Sequence, residues 1–325
     1  MRVDTSSAGP GGRGPRWPRK VAGWIQGHWL RLIALAVAGS IAGSAAVVTD
    51  TLGAGYAFSR VVAHVELWLD PPPDRPTVAT VEVTPEPTDA PTLVPATTVP
   101  GSPGATPVGT VATPARLPVD VNLVPDPNAV FISEIKDVWC APAGTTIVLS
   151  ILGHGTNTTA FETHLAGQIG QWDSWSDSHD GGWGPAAIAL ALGAYGVPGY
   201  QVRAYTTLSS EMRDATLALT TTHEPVVLMA WYGAHTWVMT GYRASADPTI
   251  FHNATISGAY ILDPWYPRVS SIWGRSAAPG VFHTMANLAV NVLPWRRPEG
   301  YYPARDLKFI AVVPTVVAPP AGAGQ

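Results

Sequence analysis

Apolar and polar positions follow three regimes along this chain. From Leu32 to Thr49 the run LIALAVAGSIAGSAAVVT carries no charge and is rich in Ala, Gly and Ser, and a mostly apolar texture continues to Phe58. From 71 to 118 proline recurs every few residues among Thr, Val and Ala, and no apolar period survives. From 119 onward the rhythm is that of a folded domain. Pro142–Leu152 reads as a buried helix, with proline suited to its first turn and Gly153 and Gly155 to its end. Trp183–Tyr195 predicts a second helix and Ser209–Leu219 a more polar, amphipathic third. The texture then becomes β-rich and turn-punctuated: Pro225–Trp231, His235–Tyr242, Gly258–Leu262 and Leu307–Val313 predict short strands. Helices first and strands later, without regular alternation, predict an α+β domain whose N-terminal helices pack on an antiparallel sheet.

Composition changes this picture mainly at the N-terminus. Gly and Pro stand at 32 each and charged residues at 13%, values skewed by the first third of the chain. Roughly 200 residues remain for one well-buried core, placed at 119–315 with a disordered tail at 316–325. A net charge of −4 with no basic stripe argues against a nucleic-acid partner. Arg2, Arg13, Arg16, Arg19, Lys20 and Arg31 make 1–31 a basic leader, ahead of a stretch long enough for a short bilayer span. Two readings compete: residues 32–58 as a retained single-pass anchor with the C-terminal domain outside the cell, or a signal peptide cut near Ser44-Ala45-Ala46. The leader's length favours the anchor. Residues 59–70 would form a short juxtamembrane helix, and 71–118 a Pro/Thr-rich disordered stalk, extended by its prolines and a candidate for O-glycosylation.

The chemistry centres on Cys140, the only cysteine. One sulfur builds neither an internal disulfide nor a zinc site, and this one stands at the mouth of the first helix. A thiol attacks an amide as the thiolate, which a helix N-terminus and a neighbouring imidazolium both favour. His235, at the start of a strand, offers the imidazole, and Asp263, at a strand end, offers the carboxylate that fixes its tautomer. Taken alone, Cys140 could equally be a small buried hydrophobe. The His and Asp contexts favour the nucleophile.

The blocks Trp139-Cys140-Ala141-Pro142-Ala143, His235-Thr236-Trp237-Val238-Met239-Thr240-Gly241-Tyr242 and Ile261-Leu262-Asp263-Pro264-Trp265 resemble papain-clan peptidases related to the bacteriocin-leader-processing family. More narrowly they are similar to its stand-alone exported bacterial branch, over about Phe131 to Val313. The resemblance implies a papain-like fold, a Cys140-His235-Asp263 triad, peptide or protein substrates, and neither metal nor organic cofactor. Two positions depart from it. Ala141 stands where a glycine is usual, and Glu134, six residues before the cysteine, stands where a glutamine donates to the oxyanion. An ionised carboxylate there repels developing negative charge. Three escapes are open: Glu134 is protonated, Lys136 substitutes, or the hole relies on the Cys140 backbone N–H.

Other groups need weighing. The loop from Gln171 to Trp183 is aromatic, acidic and glycine-rich. Trp172, Trp175 and Trp183, with Trp139 and Trp237, could wall a substrate groove, or could simply pin the chain. Asp173, Asp177 and Asp180 lack EF-hand spacing, and the histidines form no HExxH pair, so no metal site is expected. Asp247 and Asn253 rival Asp263 as the third member, although Asp247 reads as part of an exposed turn. Trp265, Trp273 and Trp295 read as packing residues. The expectation is therefore an exported, membrane-anchored cysteine peptidase. Its rivals are a catalytically inactive papain-like domain that binds peptides or wall polymers, and a wall-peptide amidase using the same dyad logic.

Overall fold

The computed structural model describes residues 73–75, 77–84, 114–178, 183–297 and 300–316, with a few isolated helical positions between 40 and 69. The expected leader at 1–31, nearly all of the 32–58 anchor, most of 59–70, the middle of the stalk and all but the first position of the tail lie outside the described residues. Among the described residues no helix is long and apolar enough to cross a membrane.

The elements in chain order are β1 (Thr80–Glu82), β2 (Val119–Asn122), α1 (Cys140–Ile151), α2 (Thr159–Gly167), α3 (Pro185–Ala194), β3 (Gln201–Tyr205) and α4 (Leu208–Thr222). They continue with β4 (Val226–Ala230), β5 (His235–Ala244), β6 (Ile256–Leu262), β7 (Val269–Ser270), β8 (Gly274–Arg275), β9 (Val281–Thr284), α5 (Met285–Asn291) and β10 (Phe309–Val313). Eight strands form one sheet in the order β1-β3-β10-β4-β5-β6-β9, with β2 also pairing β5. All pairs are antiparallel except β1 with β3. This is the expected α+β class.

Strand β5 organises the sheet. Its first half pairs with β4 and its second half with β2 along one edge, while β6 runs along the other. Nine of its ten residues are buried or nearly so, because helices cover both faces. Thr236 and Val238 face α1, whereas Trp237 turns the other way toward His283. Gly241 is required where β2 crosses, since a Cβ there would sit 2.1 Å from the Val121 carbonyl oxygen.

Helix α1 is buried from Ala141 to Leu149 and begins two residues before the predicted start, so Cys140 is its first residue. It lies so close to β5 that a Cβ on Gly144 would come within 2.7 Å of the Thr236 methyl. Helix α3 is almost wholly apolar and shares the core with α1 and the β3, β4, β5 and β10 residues on that face. Helix α4 covers the opposite face, opened by a reciprocal capping box between Thr207 and Ser210. Two helices went unread in the sequence: α2, short and with Thr158 accepting from the Phe161 N–H at its cap, and α5, only seven residues long.

The domain starts earlier than the sequence reading places it. Residues 77–84, assigned to a disordered stalk, add a strand beside β3, and Val83 N–H donates to the Ala204 carbonyl at 2.9 Å. Arg305 explains the docking. Its guanidinium, fully buried, reaches Thr80 Oγ1 at 2.9 Å and Asp177 Oδ1 at 2.8 Å. Asp177 in turn accepts the Ala186 and Ala187 N–H groups at the start of α3. Arg75 donates to Ser174 Oγ and to the Gly170 carbonyl in the same loop. Proline-rich composition is compatible with a strand at a sheet edge, where no second neighbour needs the missing donors.

Two stability predictions follow from this packing. Gly144→Val should lower stability by about 1–3 kcal/mol through overpacking, read as a fall in the denaturant midpoint at unchanged slope. On α4, Glu211 is fully buried with neither carboxylate oxygen partnered. Burial raises its pKa well above 4.5. The folded state therefore keeps this proton while the unfolded chain releases it, and stability declines as pH rises beyond 4.5. Glu211→Met should flatten that decline and add about 1–3 kcal/mol at neutral pH, measured by urea titrations at several pH values.

Candidate active site

Cys140 is placed by the helix it opens. Its neighbour Trp139 is the N-cap residue without a side-chain capping bond, and Pro142 lacks an N–H. The first-turn N–H groups of Cys140 and Ala141 thus mark the electropositive tip of α1. The thiol is half-buried and lies 3.9 Å from the Ala234 carbonyl oxygen.

His235 comes from the first position of β5, directly after a tight turn. Trp231 and Tyr232 there hold φ of 54° and 61°, a left-handed conformation that costs non-glycine residues about 1–3 kcal/mol each. The turn lays the Trp231 indole flat on the imidazole, ring centroids 4.0 Å apart, and Trp265 closes on it edge-on at 6.4 Å. Trp273 stacks on the far side of Trp231 at 5.8 Å. His235 is consequently buried, and its Nε2 bonds Asp263 Oδ1 at 2.6 Å.

Asp263 ends the β6 region and is itself held on both oxygens. Oδ1 also accepts the Trp265 N–H at 3.0 Å, and Oδ2 accepts the Ser276 hydroxyl at 2.5 Å. Burial works to raise its pKa, but the His235 charge and these hydrogen bonds outweigh it and hold the carboxyl below its usual value. For His235, burial works to lower the pKa, yet Asp263 and the neighbouring thiol together lift it to about 10. Both shifts favour a charged imidazolium paired with the Asp263 carboxylate.

The Cys140 sulfur, a His235 ring nitrogen and a Glu134 carboxylate oxygen all lie within 4.8 Å of one another. With Nε2 held by Asp263, Nδ1 is the nitrogen left to face the thiol. Glu134 is anchored through its N–H to the Pro264 carbonyl, and Glu162 accepts the next N–H, that of Ile135. Arg268 donates to Glu134 Oε1 at 3.1 Å while also pairing with Asp137 at 3.0 Å. Glu134 Oε2 is buried without a partner. Burial dominates and lifts the Glu134 pKa to about 8, against the His235 and Arg268 charges. The ion pair does not reverse this, because Arg268 is partly solvated and shares its charge with Asp137. Among the described residues these three donors are also a group close enough to share a metal ion. Arg268 and the helix tip put positive charge on the same spot, which suits an anion better than a cation.

The other sequence candidates scatter. Lys136 lies 4.4 Å over the Trp139 ring, turned onto the aromatic face. Trp172 is buried in the α1–α3 core with Trp183 at 5.5 Å, and Trp175 lies in the loop clamped by Arg75 and Arg305. Trp237 is buried and lines a cavity of about 300 Å³ with Trp231, Trp273, Phe282, His283 and Asp263. Asp247 accepts from Thr249 within its own turn, and Asn253 accepts from Arg116. Asp173 and Asp177 face Arg75 and Arg305, and Asp180 lies outside the described residues. Sequence reasoning missed Arg268, Ser276 and the Trp231 stack. Only Trp231 carried a signal, four residues before His235 at the end of an apolar strand.

Asp263→Asn removes the charge that sustains the imidazolium. Side-chain NMR of His235 should show its pKa fall from about 10 toward or below the ordinary 6.5. The stability contributed by the pair, present between the acid range of Asp263 and the high pKa of His235, should be lost across that window.

No curated protein and no solved structure matches the chain. The model of the Peptidase_C39 like family matches residues 122–285, about half of the chain, and the matched span contains Cys140, His235 and Asp263. The chain therefore belongs to the Peptidase_C39-like family, and its folded domain is a papain-clan cysteine peptidase domain.

Proposed function

We propose that this protein hydrolyses peptide bonds with Cys140 as nucleophile, His235 as general acid and base, and Asp263 as the group that orients and charges the imidazole. The observation that supports it best is the Cys140 sulfur within 4.8 Å of a His235 ring nitrogen at the tip of α1, backed by a 2.6 Å His235–Asp263 bond. The Cys140 thiolate adds to the carbonyl carbon of the scissile amide, and the oxyanion forms beside the Cys140 N–H and the residue 134 side chain. His235 then gives its Nδ1 proton to the leaving amine, and a thioester remains on Cys140. The neutral imidazole takes a proton from water, the hydroxide equivalent attacks the thioester, and the thiolate and imidazolium are restored as the acid product leaves. Trp139, beside the nucleophile, and Trp237, in the aromatic cavity, are the residues best placed to contact a peptide.

The protein acts outside the cell in this reading, tethered by 32–58 with its N-terminus inside. The basic leader, the uncharged run from Leu32 to Thr49 and the proline-rich spacer support it.

The test uses the full chain in detergent. Wild type should turn over a mixed peptide pool and be alkylated at Cys140. Cys140→Ala and His235→Ala should each lose about 10⁴-fold or more in kcat. Equal turnover by wild type and Cys140→Ala ends the proposal for this cysteine.

A further inference from the structure

Glu134 poses a problem that the triad does not solve. A carboxylate beside a forming oxyanion would cost rate, yet Glu134 is the side chain that the structure brings to within 4.8 Å of the nucleophilic sulfur. Lys136, the alternative donor, is turned onto Trp139. The two oxygens of Glu134 differ in their surroundings. Oε1 is occupied by Arg268, and Oε2 is buried with nothing to accept from or donate to. A carboxylate leaves Oε2 as unpaired buried charge, whereas a carboxylic acid puts a hydrogen on it that lacks a partner until a substrate oxygen arrives.

We infer that Glu134 serves as a neutral carboxylic acid, with Arg268 holding Oε1 and the Oε2 hydroxyl donating a hydrogen bond to the substrate oxyanion. This rests on the hydrolase reading above and supplies its missing donor. The groups that face Glu134 fit the assignment. Cys140 from α1 and Asp263 from the end of β6 carry negative charge in the reactive state and oppose a second anion. Asp137 shares Arg268 and adds a negative charge of its own, Glu162 is occupied by the Ile135 N–H, and the His235 and Arg268 charges, which favour ionisation, are outweighed by burial. Burial keeps the acid protonated up to about pH 8. The hydrogen bond strengthens as the carbonyl oxygen gains charge, so it acts on the transition state more than on the bound substrate. An alkaline shut-off follows, because loss of this proton converts a donor into a repelling charge.

The experiment compares the pH profiles of kcat/KM for wild type, Glu134→Gln and Glu134→Ala in the full chain. Wild type should fall on the alkaline side with a midpoint about 8. Glu134→Gln, which keeps an uncharged donor, should retain activity within about tenfold at neutral pH and lose that alkaline fall. Glu134→Ala should drop about 10²–10³-fold in kcat at neutral pH. An infrared difference between wild type and Glu134→Gln should show a protonated carboxyl band that titrates with the same midpoint. Absence of the band at neutral pH, an alkaline fall that persists in Glu134→Gln, or an inactive Glu134→Gln that is folded and still alkylated at Cys140 would each overturn the inference. If wild type shows no Cys140-dependent turnover at any pH, the hydrolase reading fails, and the donor role with it. The infrared band then reports separately whether Glu134 is protonated.

Discussion

A buried hydrogen bond, 2.6 Å from His235 Nε2 to Asp263 Oδ1, is the constraint around which the site is arranged. Burying an imidazolium and a carboxylate is costly unless every remaining polar atom is satisfied. Here Asp263 spends its other capacity on Ser276 and the Trp265 N–H, and the imidazole faces are closed by Trp231 and Trp265. The same sealing that makes the pair expensive also makes its charge effective, since few water dipoles remain to screen it from the thiol. A positively poised ring at the tip of α1 is the outcome.

That outcome depends on two long-range approaches. Helix α1 must lie close on β5, which Gly144 permits, and the turn at Trp231 and Tyr232 must deliver His235 at the right height along the strand. Glu134 reaches the cluster separately, because its N–H bonds the Pro264 carbonyl, one residue past Asp263. Cys140, His235 and Glu134 thus arrive from three stretches of chain, each located by backbone contacts. Cys140 opens a packed helix and His235 a packed strand, and positioning by such elements is stiffer than positioning by loops.

Away from the site, the Asp177–Arg305 pair ties together segments distant in sequence. Asp177 accepts the first N–H groups of α3, Arg305 reaches Thr80 of β1, and both charges are buried. The tryptophan-rich loop that reads as a candidate groove in the sequence is held by this pair and by the Arg75–Ser174 bonds. Its residues Asp173 and Asp177 face the guanidinium groups of Arg75 and Arg305.

Local pattern was enough to read a helix after Cys140, a strand from His235 and a carboxylate at a strand end, because periodicity, turn residues and a single cysteine are local signals. The same local signals could not place β1, whose pairing with β3 depends on Arg305 more than two hundred residues away. Nor could they reveal α2 and α5, too short for a helical period to show. The amino-acid sequence by itself determined the class of the domain, the candidates Cys140, His235 and Asp263, and the oddity of Glu134. Only the tertiary structure decided that Arg268 rather than Lys136 meets Glu134, that Trp231 covers His235, and that Glu134 is buried with one oxygen unpartnered. Protonation and shielding depend on what surrounds a group in three dimensions, and that environment is assembled from residues far apart along the chain.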